Sequence, residues 1–429
     1  YRRSDRRRPA NADARPALLL DASWYGTLAA ARDLGRHGVP VIVGYDQRAA
    51  PTRFSRYATA TVPCPPTADA EGLLAWLRGF GRRTPGCALY ATSDDVAFLI
   101  AAHRESLSEH FHLYCPSLPS LLGVLDKGRL SALAEQAGLD APRVWAPAGE
   151  PELTAMAGEI PMPVLIKPRA QMLARVWTKG IRVTRREDLL PAWRQARAAV
   201  DFHPHVLAVA PEVDAPLIQA LHDASERIYT VDGFAGADGE ILGALACVKT
   251  LQLPRRSGPG ICFEAAELDP VIREGLERIC RATGFHGVFD AEFMLEGSRR
   301  LLIDFNPRFY NHMAFEIDRG LPLAWYAYLA ATGQEERLRA VAAAARPQSP
   351  AESGVYSHRL LMRVMLAAQL RGRGMSRAER SRWRAWLHEH RHAITDPAAA
   401  SGDIGPAIAD LAHVFDKHVL RLLRQRSRS

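Results

Sequence analysis

Short apolar runs alternate with helix-like segments in the first part of the chain. Residues 17–20 are all apolar, as in a strand buried on both faces, and a glycine turn and an Ala-rich helical pattern lead from them to a second apolar run at residues 41–43. Strand and helix continue to alternate through residues 88–91 and a helix that Ser93 or Asp94 caps. This order predicts a Rossmann-like domain with a parallel sheet.

The pattern changes in the middle of the chain. An apolar run at residues 161–167 ends in Lys167, and one helix is predicted at residues 270–283. The other predicted strands are residues 216–219, 228–231, 241–248, 287–295 and 301–305. Because strands outnumber helices here, and a four-residue turn at residues 296–299 joins the last two, we expect an α+β unit with a largely antiparallel sheet.

These patterns divide the chain into five segments. The expected segments are a basic, disordered start (1–16), the Rossmann-like domain (17–122), a second domain (123–335), a linker rich in Ala, Pro and Ser (336–353) and a helical Arg-rich region (354–429). The predicted fold class is therefore α/β followed by α+β, with a helical basic tail.

Composition excludes several classes of protein. Hydrophobic residues make up 48% of the 429 residues and charged residues 24%, which excludes disorder, collagen and coiled coil for the chain as a whole. No apolar run is long enough to span a membrane, and the N-terminus lacks the apolar segment of a secretory signal, so we expect a cytoplasmic protein. The six cysteines form no C-x-x-C pair, which argues against a zinc knuckle or a redox dithiol.

Positive charge is concentrated at the C-terminal end. Residues 359–429 contain 14 Lys and Arg against 6 Asp and Glu, an excess equal to the net charge of +8 for the whole chain. Such a surface can attract nucleic acid or anionic lipid, but the segment contains no recognition motif. A solvated helical face is the favoured interpretation, and we expect no nucleic-acid partner.

Lysine is rare and its placement is informative. Only five of the 55 basic residues are Lys, and four of these five lie between residues 127 and 249. A compact ammonium binds phosphate as a point charge, which the forked guanidinium does not imitate. The clustering therefore suggests a domain that handles phosphate, with chance placement of a rare residue as the alternative.

Two predicted strands carry a polar set that suits a metal ion. Alternation places Asp290, Glu292, Asp304 and Asn306 on one face, and the opposite face is predicted to hold Phe289, Phe293, Ile303 and Phe305. Carboxylates that face each other repel unless a cation lies between them, and oxygen ligands of this kind suit Mg²⁺. The alternative is an exposed acidic hairpin face.

With these motifs, residues 17–330 resemble the ATP-grasp superfamily, which includes biotin carboxylase, carbamoyl phosphate synthetase and D-alanine ligase. The resemblance makes residues 123–335 the ATP-grasp domain and implies ATP and Mg²⁺, or Mn²⁺, as cofactors. It identifies Glu292, Asp304 and Asn306 as metal ligands. Arg308 resembles the arginine that contacts the transferred phosphate or acyl group, and Lys249 the basic residue near the γ-phosphate and the acceptor.

The same resemblance implies a set of nucleotide-binding residues. These are Lys127, Lys167, Lys179, Gln219 on the strand that resembles the adenine hinge, and Glu226 as the ribose carboxylate. Two positions depart from the pattern of the superfamily. Gly180 is the lone glycine in the segment expected to cover the phosphates, and Ala220 follows Gln219 where the superfamily usually has Glu.

The activity implied by the resemblance is that of a carboxylate–amine ligase. Such an enzyme forms an acylphosphate from ATP and a small carboxylate, and an amine or amino acid then attacks it to give an amide, ADP and phosphate. Arg255, Arg256 and Asp94 are candidate substrate contacts, and homodimers are common among such enzymes. The alternatives are a module that binds ATP without ligase chemistry and a nicotinamide oxidoreductase, for which the chain lacks the G-x-G-x-x-G fingerprint.

Overall fold

The N-terminal part of the structure, a computed structural model, is built on a five-stranded parallel sheet in the order β3-β2-β1-β4-β5. The structure describes residues 14–177, 180–222, 228–252, 258–368 and 376–414. The strands are β1 (Ala17–Leu19), β2 (Val41–Tyr45), β3 (Ala58–Pro63), β4 (Cys87–Leu89) and β5 (Phe111–Leu113), and the helices are α1 (Tyr25–Arg36), α2 (Ala70–Arg83), α3 (Asp94–Ala102) and α4 (Arg104–Ser108). Because helices cover both faces, the central strands β1 and β4 are entirely buried.

Two consecutive helices lead from this sheet to a smaller unit. The helices α5 (Leu118–Leu125) and α6 (Lys127–Gln136) are separated only by Asp126, whose carboxylate accepts from the backbone N–H groups of Gly128 and Arg129. The elements that follow are β6 (Val144–Trp145), α7 (Glu150–Met156), β7 (Val164–Lys167), β8 (Ala174–Val176), β9 (Ile181–Val183), α8 (Leu189–Ala198), β10 (Val200–Phe202), α9 (Pro204–Val209) and β11 (Leu217–Ala220). They form an antiparallel sheet in the order β6-β11-β7-β9 and a β8–β10 ribbon.

A seven-stranded sheet forms the largest unit, in the order β16-β15-β12-β13-β14-β17-β18. Its strands are β12 (Ile228–Ala235), β13 (Ile241–Gln252), β14 (Gly260–Ala266), β15 (Gly287–Glu296), β16 (Arg299–Asn306), β17 (Val355–Ser357) and β18 (Ile394–Thr395); the helices around it are α10 (Pro270–Thr283), α11 (Met313–Asp318), α12 (Leu323–Ala331), α13 (Glu335–Ala344), α14 (Arg359–Ala368), α15 (Arg377–Glu389) and α16 (Gly405–Val414). One face of the central strands packs Val231, Ala291 and Phe305 against α6 and α10. The other face carries the polar residues of the candidate site.

The predicted fold class is confirmed, with a parallel sheet at the N-terminal end and antiparallel sheets after it. No helix within the described ranges has the length and apolar character that a membrane span requires.

The predicted linker at residues 336–353 is wrong in its first half. Residues 335–344 form α13, because Glu335 and Glu336 stabilise its N-terminus and Leu338 packs into the core. Arg339 also pairs with Asp238 and Glu240 in the turn between β12 and β13. The Ala-rich composition that suggested a linker is thus that of a packed helix.

The prediction of a helical Arg-rich C-terminal region at residues 354–429 is also incomplete. β17 pairs with β14 and β18 pairs with β17, so this region supplies two strands of the large sheet. It also packs against α1, where the buried Arg32 donates through Nε to Asp403 Oδ2 at 2.8 Å. The C-terminal region is therefore an integral part of the molecule.

Candidate active site

A β-hairpin places four polar side chains on one face of the large sheet. In the pairing of β15 with β16, Glu292 lies opposite Asp304 and Asp290 opposite Asn306. Asn306 Nδ2 donates to Asp290 Oδ2 at 3.1 Å. The Asp304 side chain is 38% exposed and that of Glu292 18%, so both carboxylates open towards solvent.

A register shift alters the apolar face of the same hairpin. The shift occurs between Glu292 and Phe293, so that Phe293 pairs with Leu302 instead of Ile303. Leu302 is buried in the core with Phe293 and Phe305, whereas Ile303 is only half-buried. The prediction that Ile303 faces the core is therefore wrong, because strict alternation fails at a bulge.

Two lysines neutralise the facing carboxylates. Lys127 Nζ donates to Asp304 Oδ1 at 2.6 Å, and Lys249 Nζ donates to Glu292 Oε1 at 2.5 Å. Burial opposes the charge of each lysine, but the neighbouring carboxylate outweighs it and raises the pKa of both. Burial likewise opposes ionisation of Asp304, but Lys127 lowers its pKa below the ordinary value.

Lys127 is positioned by Asp126, its neighbour in the chain, and by the loop after β7. It is the first residue of α6, and its backbone N–H donates to the carbonyl oxygen of Arg169 at 2.9 Å. The Arg169 guanidinium in turn makes two hydrogen bonds to the buried Asp126, at 2.9 and 3.2 Å. Asp126 therefore fixes both the start of α6 and the loop after β7.

Lys167, the last residue of β7, is in a different electrostatic state. Burial, followed by the positive charge of Lys127, lowers its pKa to about 7. The carboxylates of Asp304 and Glu292 act in the opposite direction without restoring it. An ammonium held in this way gains stability when an anion enters the site.

Arg308 joins the hairpin to the parallel sheet. Its Nη2 donates to Asn306 Oδ1 at 2.9 Å, and its Nε donates to Asp94 Oδ1 at 2.9 Å, where Asp94 lies in the first turn of α3. Ser93, not Asp94, caps that helix through the N–H of Val96. The adjoining backbone also meets α1 closely, since a Cβ at Gly26 would lie 2.6 Å from the carbonyl oxygen of Tyr310.

Comparisons with known proteins establish the fold. No family model and no curated protein matches the chain. Among solved structures, it is similar to biotin carboxylase from Campylobacter jejuni, with 17% identity over 74% of this chain and 71% of that one and a TM-score of 0.56. It is similar to L-amino acid ligase from Bacillus licheniformis, with 15% identity over 76% of each chain and a TM-score of 0.56. It is also similar to the biotin carboxylase domain of the Hydrogenobacter thermophilus 2-oxoglutarate carboxylase, which was solved with MgADP and bicarbonate. The identity is 14% over 75% of this chain and 70% of that one, and the TM-score is 0.57.

The chain has an ATP-grasp fold. The resemblance found in its sequence is thereby confirmed at the level of the fold. The cleft of this ATP-grasp fold brings together Lys127, Lys249, Glu292 and Asp304 in direct ion pairs, with Asn306, Arg308 and Asp94 linked to one another beside them.

Other predicted site residues have different positions. Gln219 lies in β11 next to the strand that ends in Lys167, and its side chain is buried with Oε1 lacking a partner among the described residues. Lys179, Glu226, Arg255 and Arg256 lie outside the described residues. The proposed roles of these five positions in an ATP-grasp site remain predictions.

Sequence reasoning missed a second group of polar residues on the same sheet face. Asp232 lies opposite Asp290 in the β12–β15 pairing, and burial raises its pKa to about 7. Burial raises the pKa of Glu316 in α11 to about 8. The alternation of Thr230 with Asp232 on β12 repeats that of Asp290 with Glu292, and this spacing by two was the available signal.

Proposed function

We propose that the protein is an ATP-dependent ligase that activates a small carboxylate as an acylphosphate and transfers the acyl group to an amine, releasing ADP and phosphate. The observation that carries this proposal is the in-register pair of Glu292 and Asp304, each bound to a lysine at 2.5–2.6 Å. In a hairpin with only a structural role, facing carboxylates that must be neutralised by two lysine ammonium groups would add a cost without stabilising the fold.

The donor set fits a hard divalent cation. Two carboxylates and the amide oxygen of Asn306 lie on one face, and all are oxygen donors of the kind that Mg²⁺ prefers. Mg²⁺ or Mn²⁺ held by Glu292, Asp304 and Asn306 would neutralise the charge of nucleotide phosphates. The two lysines compensate the carboxylates in the present structure, and they would be released towards phosphate oxygens when a cation binds.

The chain's own residues then provide the remaining chemistry. Lys127, Lys167 and Lys249 surround the position of the transferred phosphoryl group with positive charge, which lowers the repulsion between an attacking carboxylate and a polyphosphate. Arg308 is held by Asp94 and Asn306 with its guanidinium beside the same face, where it can orient a carboxylate or the transferred phosphate. No residue forms a covalent bond to substrate in this scheme.

The structural neighbours support the same reading. One is named as an L-amino acid ligase and two as biotin carboxylases, one of these solved with MgADP. We propose that this chain binds a magnesium nucleotide, like the carboxylase domain solved with MgADP, and acts on a small carboxylate and an amine or amino acid. Arg255 and Arg256, the candidate contacts of the substrate carboxylate, lie outside the described residues. A screen is therefore the way to identify the acid and the amine.

The test is ADP release across a panel of carboxylates crossed with amines and amino acids. We expect one combination to give ADP. Glu292→Gln should reduce the rate at least about 100-fold, because the loss of a carboxylate ligand weakens the binding of the cation that would neutralise the phosphate charge. Glu274→Gln is the matched control, since Glu274 is an exposed residue of α10, on the opposite side of the large sheet, and pairs only loosely with Arg278.

Equal ADP release by Glu292→Gln and the unmodified protein would refute the assignment of the site. ATP binding without ADP formation across the whole panel would instead favour an ATP-binding module without ligase chemistry. That alternative is suggested by the single glycine, Gly180, in the segment expected to cover the phosphates.

A further inference from the structure

A second polar cluster lies on the same sheet face as the candidate active site. It consists of Asp232 on β12, Cys247 on β13, His312 just before α11 and Glu316 within α11, and we call it the α11 cluster. One ligand atom from each of the four residues lies within 4.8 Å of those of the others. All four residues are buried, Cys247, Asp232 and Glu316 completely.

The local structure explains how the four side chains converge. Thr230 and Cys247 are paired across β12 and β13, and alternation along β12 sends Asp232 to the same face as Thr230. His312 and Glu316 are four residues apart at the start of a helix, so they share one side of it. Phe263 stacks on the His312 ring at a centroid distance of 4.0 Å and fixes its plane.

Two of the ligand–ligand separations lie in the range expected for the edges of a tetrahedral metal site. His312 Nε2 lies 3.3 Å from Asp232 Oδ2, and Cys247 Sγ lies 3.5 Å from the same oxygen. Zinc bonds of about 2.0–2.3 Å give ligand–ligand edges of roughly 3.3–3.8 Å in a tetrahedron. The spacing therefore suits a metal ion as well as it suits hydrogen bonds.

Two buried oxygen atoms point to a missing ligand. Asp232 Oδ1 and Glu316 Oε1 receive no hydrogen bond within the part of the chain that the structure describes, and the Asp232 carboxyl also contacts that of Asp290, whose Oδ1 likewise lacks a donor. Their other oxygens accept hydrogen bonds from Thr230 Oγ1 at 3.0 Å and from the Tyr310 hydroxyl at 3.2 Å, respectively. A buried acceptor left unpaired is costly, and a cation between the two carboxylates would remove that cost.

The charge of the cluster leads to the same conclusion. Two carboxylates and a thiolate would face the buried guanidinium of Arg319, which donates to the carbonyl oxygen of Ala246 at 2.9 Å beside Cys247. A divalent cation together with Arg319 would balance the three negative charges that these ligands carry once they are deprotonated by metal binding. A set with one sulfur, one imidazole and two carboxylate ligands suits Zn²⁺ much better than Mg²⁺.

We propose that the α11 cluster binds Zn²⁺ or a chemically similar divalent transition-metal ion through Asp232, Cys247, His312 and Glu316. Four protein ligands close the coordination sphere, so the role of this ion is structural: it would bind α11 to the centre of the large sheet. The site is separate from the proposed magnesium site and does not depend on the proposed ligase activity. Asp290, opposite Asp232 in the sheet, lies between the two sites.

Cobalt spectroscopy on the full chain tests the proposal directly. After removal of metal with a chelator, we expect stoichiometric Co²⁺ uptake with a sulfur-to-cobalt charge-transfer band, and loss of the band when Zn²⁺ is added. Cys247→Ser should abolish the charge-transfer band. Cys280→Ser is the matched control, because Cys280 is equally buried but packs in the core beside α10.

A second variant covers the case in which Cys247→Ser does not fold. Glu316→Gln should keep the charge-transfer band but weaken Co²⁺ binding at least about tenfold, since even outer-shell changes at metal sites cost 10- to 100-fold. Absence of the band in the unmodified protein, or its presence in folded Cys247→Ser, would overturn the proposal. Glu292→Gln should leave the band intact, which separates this test from that of the ligase.

Discussion

At the scale of single residues, the least ordinary group in the cleft is the Lys167 ammonium. Burial and Lys127 lower its pKa from 10.5 to about 7, so at pH 8 most of the free protein carries a neutral Lys167. The unfolded chain binds this proton more tightly between about pH 7 and 10.5, so the contribution of Lys167 to folding stability rises with pH through that window. A bound polyphosphate would favour the charged form instead.

We therefore predict that ATP binding at pH 8 is accompanied by uptake of close to one proton by Lys167. Titration calorimetry in buffers of different ionisation enthalpy measures this uptake as a buffer-dependent binding enthalpy. The dependence should shrink at pH 6, where Lys167 is already protonated, and it should be absent in Lys167→Met. Arg182→Met on the neighbouring strand should retain it; a buffer-independent enthalpy at pH 8 in the unmodified protein would contradict the prediction.

At the scale of elements, the hairpin of β15 and β16 combines two requirements. Its open face must hold Glu292 opposite Asp304, and its closed face must fill the core under α10. The bulge after Glu292 accommodates both, because it brings Leu302 into the core and leaves Ile303 outside it.

We predict that Leu302→Ala destabilises the protein by about 2–5 kcal/mol, because it opens a cavity in a packed core. Ile303→Ala, the adjacent aliphatic residue, should cost at most about 1 kcal/mol. Urea unfolding followed by tryptophan fluorescence measures both effects. Equal losses in the two variants would show that the register shift is absent.

The hairpin also shows how far sequence reasoning reaches. The period of two along each strand was sufficient to predict that Asp290, Glu292, Asp304 and Asn306 share a face, because alternation is a property of the backbone itself. The bulge was not predictable, since the choice between Leu302 and Ile303 depends on packing with α10, which is far away in the sequence. The α11 cluster was missed for the same reason: its four residues span 85 positions and come together only in the tertiary fold.

At the scale of the whole molecule, two ion pairs join the parallel-sheet unit to the unit of the large sheet and its C-terminal region. Arg308 of the hairpin pairs with Asp94 of the parallel-sheet unit, and Arg32 of that unit pairs with Asp403 near the C-terminal end. The Arg-rich C-terminal region was expected to be a solvated face. Its acidic residues Asp403 and Asp410 are in fact buried against α1, a placement that no local pattern in the sequence indicates.

The contact between Arg32 and Asp403 gives a test of how this region contributes to the fold. Asp403 accepts from Arg32 Nε at 2.8 Å, from the Ser55 hydroxyl at 2.8 Å and from the Arg56 backbone N–H at 2.7 Å. Its removal leaves a guanidinium buried without its counter-charge. We predict that Asp403→Ala lowers the free energy of unfolding by about 3–5 kcal/mol.

The matched control is Asp201→Ala, at an exposed position on β10, which should change stability by no more than about 0.5 kcal/mol. If the C-terminal region were an appendage, Asp403→Ala would behave like this control in urea unfolding. We also expect Asp403→Ala to disturb the candidate active site. The reason is that α1 packs through Gly26 against the backbone of Tyr310, two residues after Arg308. A lower affinity for ATP in Asp403→Ala, measured at a temperature where the variant is still folded, would show that the C-terminal region supports the site through α1.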